Sequence, residues 1–554
     1  MMNSATLLLS VPLLFLLSAI GFGLTARHSS AAKSLATRWR VAHAVAHLAP
    51  LLAMSASMLH VLNPSPPVTR WHVDGLAWPL SGAAGTFVPS FSVRADALSL
   101  VMLTLVTLLG LVITRFSQRY LSGEPGQARY LRAFALTMAA VSLLVIANNL
   151  LVVVAAWSVS SVALHQLLTF YPERPQALVA AHKKFLMSRV ADVLLFAAAA
   201  LLYHAVGTLE MDALGRAMAP AVSRTTLEVA GVLLAGGVIL RSAQLPFHGW
   251  LIQVMEAPTP VSALLHAGIV NIGGFVLVRL GALLLQMEAA QTLLVVVGGL
   301  TATLAALVMT TRVTIKVALA WSTCAQMGFM LVECGLGAYD LALLHLVAHS
   351  LYKAHAFLSS GRTVTHTVSG RARHESVAPS PARWLLSLSL SLAAVFTVDA
   401  LLGAGLRETT PGTAAGFMMA LALAALLADA RPTRAPQAAL ARVTGGGLLL
   451  VAYLLLHAGF GLAVAGYPPA TSDVASVAHL GVVVVLFGAG LGVHAWLRHV
   501  PDGALARRLY PAVFAGFYLD EVFTRLTFAL WPPRGLTRQR PPTHLQASAV
   551  GSAA

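Results

Sequence analysis

The segment EAPTPVSALLHAG, Glu256–Gly268, decides the fold, because it carries a histidine from a proline-rich stretch into an apolar run. Pro258 and Pro260 have no backbone N–H to donate. His266 then falls inside an apolar stretch typical of a membrane helix. Irregular backbone is tolerated at membrane depth only beside protein or a water-filled cavity. The segment therefore indicates either a broken helix beside a hydrated ion path or an ordinary proline-terminated helix and loop.

The whole chain around this segment is apolar. Of its 554 residues, 58% are hydrophobic and only 10% are charged, which excludes an ordinary soluble domain. Apolar runs of about 17–25 residues can cross a bilayer as helices and are too long and uniform for barrel strands. The sequence predicts an all-α polytopic membrane protein with fifteen spans near 5–24, 41–62, 97–114, 133–147, 150–170, 185–204, 227–243, 262–278, 290–311, 317–336, 340–360, 384–405, 412–428, 446–466 and 474–497.

The basic residues predict the orientation of these spans. If the N-terminus lies outside, 28 Lys and Arg residues fall on the inner side, counting Arg189 at the inner end of the sixth span, and 6 fall on the outer side. This bias predicts an outer N-terminus and a cytoplasmic C-terminus. It also accounts for most of the net charge of +16 without nucleic acid. The first run, Thr6–Leu24, has no preceding basic segment, so we expect a retained span rather than a signal peptide.

Ionisable residues inside the spans are the candidate functional residues, since each costs roughly 2.5–3.5 kcal/mol at a helix centre. Residues 345, 349 and 353 are spaced by four and share one face of the eleventh span, and we call this set the stripe. Packing histidines, a metal site and a proton wire are all compatible with this spacing. A lysine on the stripe, and no acid or thiol nearby on that face, favour the proton wire over a metal. The set is Asp192, Arg241, His266, Lys316, His345, His349 and Lys353.

Redox centres and cofactors are not expected in this chain. Its two cysteines, Cys324 and Cys334, lie in one apolar segment and provide neither a disulfide framework nor an iron–sulfur or zinc-finger spacing. No GxGxxG motif follows a strand, and no haem motif is present. We therefore expect no cofactor in this chain, which could be linked to redox chemistry only through partners.

Three motifs resemble the antiporter-like subunits of respiratory complex I and of cation/proton antiporter complexes. They are RSAQLPFHGWLIQVMEAPTPVSALLHAGIVNIGGFVLVRL, IKVALAWSTCAQMGFM and HLVAHSLYKAHAFLSSG, within a resemblance that covers roughly residues 90–400. The sequences of two further motifs, HQLLTFYPERP (165–175) and FYLDEVFTRLT (517–527), most resemble one branch of this superfamily. That branch is the membrane subunit of DAB-type inorganic carbon transporters, often called DabB.

The resemblance implies a fold of two inverted five-helix repeats with broken helices, at spans 4–8 and 9–13. We expect N-terminal helices over 1–130, the repeats over 131–285 and 286–430, and C-terminal helices with a basic cytoplasmic tail over 431–554. It also implies a bacterial inner-membrane complex with a large carbonic-anhydrase-like zinc protein on the cytoplasmic side. The membrane subunit would supply the cation flux that energises CO2 or bicarbonate uptake.

The resemblance also implies roles for individual residues. His266, Lys316, His345, His349 and Lys353 fall on the proton-path positions, and Asp192 falls on an acidic position of the sixth span.

Three other positions depart from the complex I pattern. Ser158 replaces a glutamate, Arg241 replaces a lysine, and Val398 replaces a lysine before Asp399. Arginine stays protonated, so Arg241 can set a field but cannot carry a proton. Asp192 is its expected counter-ion.

Two other functions remain open from the sequence: a subunit of a quinone oxidoreductase and a subunit of a monovalent cation/proton antiporter. The missing acid at Ser158 argues against both, although only weakly. The choice between H+ and Na+ is left open by the residues.

Overall fold

The computed structural model describes residues 4–24, 31–63, 67–72, 78–79, 86–87, 90–215, 223–361, 380–403, 406, 409–428, 436–464 and 477–531. Most of them are helical. The helices are α1 Ser4–Leu24, α2 Ala31–Leu62, α3 Ala97–Tyr120, α4 Gln127–Ile146, α5 Leu150–Leu168, α6 Pro175–Val206, α7 Met211–Leu214, α8 Arg224–Arg241, α9 Gly249–Gln253, α10 Thr259–Ala267, α11 Ile272–Arg279, α12 Gly281–Leu284, α13 Glu288–Met309, α14 Ile315–Gly335, α15 Tyr339–Ser359, α16 Pro381–Leu402, α17 Thr410–Ala428, α18 Pro436–Val464, α19 Val477–His499, α20 Ala504–Phe514 and α21 Leu519–Leu530.

The predicted class, a polytopic helical membrane protein, is confirmed. Each of the fifteen predicted spans coincides with a helix or, for the eighth, with the pair α10 and α11. Thirteen spans in the described ranges are long and apolar enough to cross a membrane. The other two, α8 and α15, have matching lengths of 18 and 21 residues but contain more polar and charged groups. These two helices carry Arg241 and the 345/349/353 stripe.

The eighth span is broken, as its prolines and glycines suggest. Helix α10 ends at Ala267, a 3-10 turn covers Ile269–Asn271, and α11 continues from Ile272. The Asn271 side chain donates to the carbonyl oxygen of Ala267 at 3.0 Å and to Ser350 Oγ of α15 at 2.7 Å. A backbone carbonyl freed by the break is thus satisfied by a side chain. The break begins directly after Ala267, one residue beyond His266.

Helices α13 and α14 make the most extensive helix pair in the described fold. They approach so closely that a Cβ at Gly328 would lie 2.6 Å from the backbone nitrogen of Ala302. Only glycine fits at such a crossing, because neither backbone can give way. This pair anchors α14, which supplies several of the polar groups discussed below.

A small β-structure, which the sequence analysis did not predict, covers the loop between α2 and α3. Strand β1 Val68–His72 pairs antiparallel with β4 Ser90–Arg94, from Val68 opposite Arg94 to His72 opposite Ser90. The short strands β2 Trp78–Pro79 and β3 Thr86–Phe87 form a second pair. The loop that the charge bias assigns to the exterior therefore contains two antiparallel strand pairs.

Asp96 ties this loop to the membrane helices. Its carboxylate accepts a hydrogen bond from Arg279 Nη1 at 2.6 Å and contacts Arg94 Nε at 2.7 Å. Burial alone would raise the pKa of the Asp96 carboxyl, but the two guanidinium groups outweigh burial and hold that pKa well below its usual range. Asp96 therefore stays ionised and fixes the end of α11 against the start of α3.

The segment after Arg498, predicted only as a polar tail, contains two amphipathic helices. Helices α20 and α21 are joined by a 3-10 turn at Gly516–Tyr518, and α21 packs on α6 and α9. A short helix with one apolar face does not give a long apolar run, so a search for spans overlooks it. The proline-rich end at Pro532, Pro533, Pro541 and Pro542 lies outside the described residues.

The orientation and the two-repeat division stay predictions. The proposed boundary between the repeats, at 285/286, falls in the connection between α12 and α13. We expect a reporter fused to the C-terminus to be active only on the cytoplasmic side, because the inner segments carry the basic excess. Activity of that fusion only on the outer side would contradict the orientation. Below, "inner side" means the side that the charge bias assigns to the cytoplasm.

Candidate functional site

The candidate site is built from α10, α14 and α15, and α15 packs against both of the other helices. His266 is fully buried at the end of α10, just before the break. Its Nδ1 lies 3.1 Å from Thr323 Oγ1 of α14, and its ring stacks on Phe357 of α15 with centroids 4.4 Å apart. Its Nε2 has no hydrogen-bond partner among the described residues. Thr323 and Phe357 therefore fix the orientation of the His266 ring, while Nε2 makes no hydrogen bond to any described residue.

Lys353 of α15 is the second member of the site. Its side chain is fully buried, and Nζ donates to Ser322 Oγ at 2.8 Å and to the carbonyl oxygen of Leu319 at 3.1 Å. Both acceptors belong to α14 and are neutral. The ammonium therefore has no carboxylate among its hydrogen-bond partners in the described residues, and lysine is one of the residue types that can carry a proton.

His349 lies one turn further along α15, on the same face. It is buried, and neither ring nitrogen has a hydrogen-bond partner in the part of the chain that the structure describes. It lies within electrostatic range of His345, Lys353 and His266. Two unpaired imidazole nitrogens between titratable neighbours are the arrangement that a relay through bound water would need.

His345 connects this stripe to an acid that the sequence analysis did not select. Its Nδ1 lies 2.9 Å from Glu333 Oε2 of α14, and the Glu333 side chain is almost fully buried. The acid comes from the neighbouring helix and not from the stripe's own face. Its apolar surroundings in span ten could have identified it, since a buried glutamate is as costly as a buried lysine.

Another acid–histidine pair lies near the same end of the stripe. Asp340, in the first turn of α15, lies with Oδ2 3.3 Å from His457 Nδ1 of α18. Glu333 and Asp340 are close enough to interact electrostatically. The stripe therefore ends, on the side away from the inner face, in two carboxylates.

A second polar cluster lies on α5, α6 and α8. Arg241, at the end of α8, forms an ion pair with Asp192 of α6 and lies over the Trp157 ring, 4.6 Å from its centroid. Asp192 also pairs with Arg189 Nη2 at 2.8 Å and accepts from Ser158 Oγ at 2.6 Å. The predicted pairing of Asp192 with Arg241 is present, but Arg189 shares the carboxylate.

Ser158, at the position where the complex I pattern has a glutamate, thus contacts the acid rather than supplying one.

Two lysines of α6, placed by the sequence analysis before span six, are buried within the helix. Lys184 Nζ donates to Ser161 Oγ at 2.6 Å and to the carbonyl oxygen of Ser161 at 3.1 Å. Lys183 faces the C-terminal helix α21. The sequence analysis missed both lysines because it predicted that span six begins at residue 185, whereas α6 begins ten residues earlier, at Pro175.

Lys316 lies apart from the central stripe. It is half-buried in the first turn of α14, and Nζ donates to Thr259 Oγ1 of α10 at 2.9 Å. It therefore joins the inner ends of α10 and α14. Of the seven predicted residues, four meet around α15, two form the pair on α6 and α8, and Lys316 lies at the inner edge.

The chemistry that this arrangement supports is proton transfer along a line of weak acids and bases. No group of three or more His, Cys, Asp or Glu side chains in the described ranges could hold a metal ion. Imidazoles, an amine and a carboxylate in sequence through a helix bundle are the groups that pumps use for proton relays.

Family comparisons agree with the helical architecture. A family model described as "NADH:quinone oxidoreductase/Mrp antiporter, TM" matches residues 147–431. Another, described as "NADH-Ubiquinone oxidoreductase (complex I), chain 5 N-terminus", matches residues 82–131. The first match contains every one of the seven candidate residues.

A solved structure has the same fold. A chain of the Mrp complex from Dietzia sp. aligns with a TM-score of 0.60 at 23% identity, covering 94% of this chain and 59% of that one. At that identity the alignment supports the fold alone.

Curated relatives are more specific. The probable inorganic carbon transporter subunit DabB of Hydrogenovibrio crunogenus is 41% identical over 451 residues, covering 81% of this chain and 85% of the relative. NADH-quinone oxidoreductase subunit L of Escherichia coli is 36% identical over 286 residues, covering 51% and 46%. The chain therefore belongs to the DabB family of inorganic carbon transporter subunits, within the complex I and Mrp antiporter superfamily.

Proposed function

We propose that this chain conducts protons as the membrane subunit of a two-component complex that energises inorganic carbon uptake. The observation that carries the proposal is the line of buried His266, Lys353 and His349, which continues through half-buried His345 to buried Glu333. Each of these groups can take up and release a proton, and each lies in a helix that crosses the membrane. The fixed pair of Arg241 and Asp192 sets the local field without carrying a proton itself.

The inorganic carbon substrate and the partner rest on family membership. The similarity to the DabB relative extends over 81% of this chain, against 51% for the oxidoreductase subunit L. That difference favours carbon uptake over a role in a quinone oxidoreductase. The partner in this proposal is a large carbonic-anhydrase-like zinc protein on the cytoplasmic side of a bacterial inner membrane. Hydration of CO2 would take place on that partner.

The test is uptake of labelled bicarbonate by cells that express both subunits. A protonophore and a sodium ionophore are applied separately, so that only one gradient is lost at a time. We expect the protonophore to abolish uptake and the sodium ionophore to leave it unchanged. The opposite pattern would replace protons by sodium ions, and uptake that survives both would contradict energisation by cation flux.

The partner requirement gives a separate prediction. Expressed alone in a strain without carbonic anhydrase, this chain is expected not to restore growth in air, because the hydration step belongs to the other subunit. Expression of both subunits should restore growth. Membrane abundance, measured by immunoblot, is the control. Growth restored by this chain alone would rule out the two-component scheme.

A further inference from the structure

The C-terminal segment 504–531 crosses the inner ends of helices from both predicted repeats. On one side, Arg312, in the turn before α14, donates from Nη2 to the carbonyl oxygen of Phe514 at 2.6 Å. Gly516 lies against the Trp321 ring of α14, where a Cβ would be 3.0 Å from Cζ2. On the other side, α21 packs on α6 and α9. The segment therefore joins α6 and α9 of the first predicted repeat to α14 of the second.

Asp520, in the first turn of α21, is the polar centre of this contact. Its two carboxylate oxygens accept from Lys183 Nζ of α6 at 2.8 and 3.0 Å. Gln253 Nε2 of α9 donates to the same carboxylate at 2.9 Å, and Thr524 Oγ1 accepts from Lys183 Nζ at 2.6 Å. The Lys183 side chain is 0% exposed, whereas that of Asp520 is 30% exposed. Within this charged pair, the carboxylate is the group that reaches inner water.

The backbone is shaped to admit this carboxylate. A Cβ at Gly249, the first residue of α9, would overlap the Asp520 side chain. Glycine at this position lets the carboxylate rest on the backbone of the segment that follows Pro246. The site is therefore formed jointly by α6, α9 and α21.

A histidine links this cluster to the central line. His248 is buried, lies within electrostatic range of Asp520 and Lys183, and packs on the Trp321 ring with centroids 4.8 Å apart. Trp321 immediately precedes Ser322, whose hydroxyl accepts from Lys353. His248 and Lys353 thus contact two adjacent residues of α14, Trp321 and Ser322.

We propose that Asp520 is the residue that exchanges protons between inner water and the ion path, a role that rests on the proposed function. A proton from water binds the carboxylate and passes to a nitrogen of His248, and the carboxylate returns to its ionised form beside Lys183. Lys183 holds the carboxylate in place throughout. The alternative is that the Lys183–Asp520 pair only fastens α21 to α6.

The test compares Asp520→Asn with Glu521→Gln in the complex expressed from both subunits. Both changes remove one negative charge from the first turn of α21, but Glu521 is exposed. Bicarbonate uptake and membrane abundance are measured separately. We expect Asp520→Asn to lower uptake at least about a hundredfold at unchanged abundance, the effect of losing a proton-transfer group. Asp520→Glu should retain uptake, and Glu521→Gln should match the wild type.

Normal uptake by Asp520→Asn overturns the inference. If that variant fails to accumulate, Lys183→Met/Asp520→Asn removes both charges, and we expect abundance to return while uptake stays low. Restored uptake in the double variant, or its failure to accumulate, would assign the pair a purely structural role and also overturn the inference. His349→Ala is measured in parallel. If His349→Ala also transports normally, the proposed function itself fails; if only Asp520→Asn does, the inference alone fails.

Discussion

Arg241→Ala is expected to leave little chain in the membrane and no bicarbonate uptake. The change removes a guanidinium that is almost fully buried and leaves Asp192 with Arg189 and Ser158 only. Breaking a buried ion pair by removing one partner costs roughly 3–5 kcal/mol. Arg189 remains as a partly exposed partner, so we expect a loss of stability of about 3 kcal/mol, the lower end of that range. Abundance by immunoblot and uptake are the measurements.

Three further variants separate charge from assembly. Arg241→Lys keeps the positive charge and is expected to retain substantial uptake. Arg241→Ala/Asp192→Ala removes both charges and should recover abundance without recovering uptake. Arg189→Ala is the matched control, because it removes the more exposed partner of the same carboxylate and should have the smaller effect on abundance. Full activity of Arg241→Ala, or a double variant no more abundant than the single one, would contradict a fixed-charge role.

His349→Ala has the second large expected effect, a loss of coupled uptake with the chain still in the membrane. Its ring nitrogens have no hydrogen-bond partner among the described residues, so removing them leaves no partner unsatisfied. Losing one proton-transfer group reduces a rate by about a hundredfold or more. We therefore expect uptake to fall by at least about a hundredfold at nearly normal abundance.

The control for this prediction lies on the same helix. His355 is exposed, so His355→Ala removes an imidazole from α15 without touching the buried stripe. It should transport like the wild type. Normal uptake by His349→Ala would instead return the stripe to helix packing, the alternative that its spacing also allows.

The sequence predicted the helices well, because a membrane span is specified by local apolar length. It also predicted that residues 345, 349 and 353 share a face, since that follows from helical geometry alone. The partners of those residues were harder to predict. Glu333 contacts His345 from another helix, and Asp520 contacts Lys183 across 337 positions of the chain. Such pairings depend on packing between helices, which no local pattern specifies.

The contacts of the Arg241–Asp192 cluster and of the C-terminal helices were likewise only partly predictable. The substitution of Ser158 for an acid indicated that Asp192 would be the partner of Arg241, and the contact is present. The contact of Arg189 with the same carboxylate was not predicted. Short amphipathic helices such as α20 and α21 escape a search based on apolar runs, and with them the contact at Asp520.

The two spans that are less apolar than the rest have a consequence for biogenesis. Because α8 and α15 contain charged and titratable groups, neither enters lipid easily by itself as it leaves the translocon. Each follows a helix that carries its partner: Asp192 of α6 is synthesised before Arg241, and Glu333 of α14 before His345. When each polar span emerges, a membrane-embedded carboxylate is already available to receive it. For each of these two spans, the partner carboxylate is therefore synthesised before the span that pairs with it.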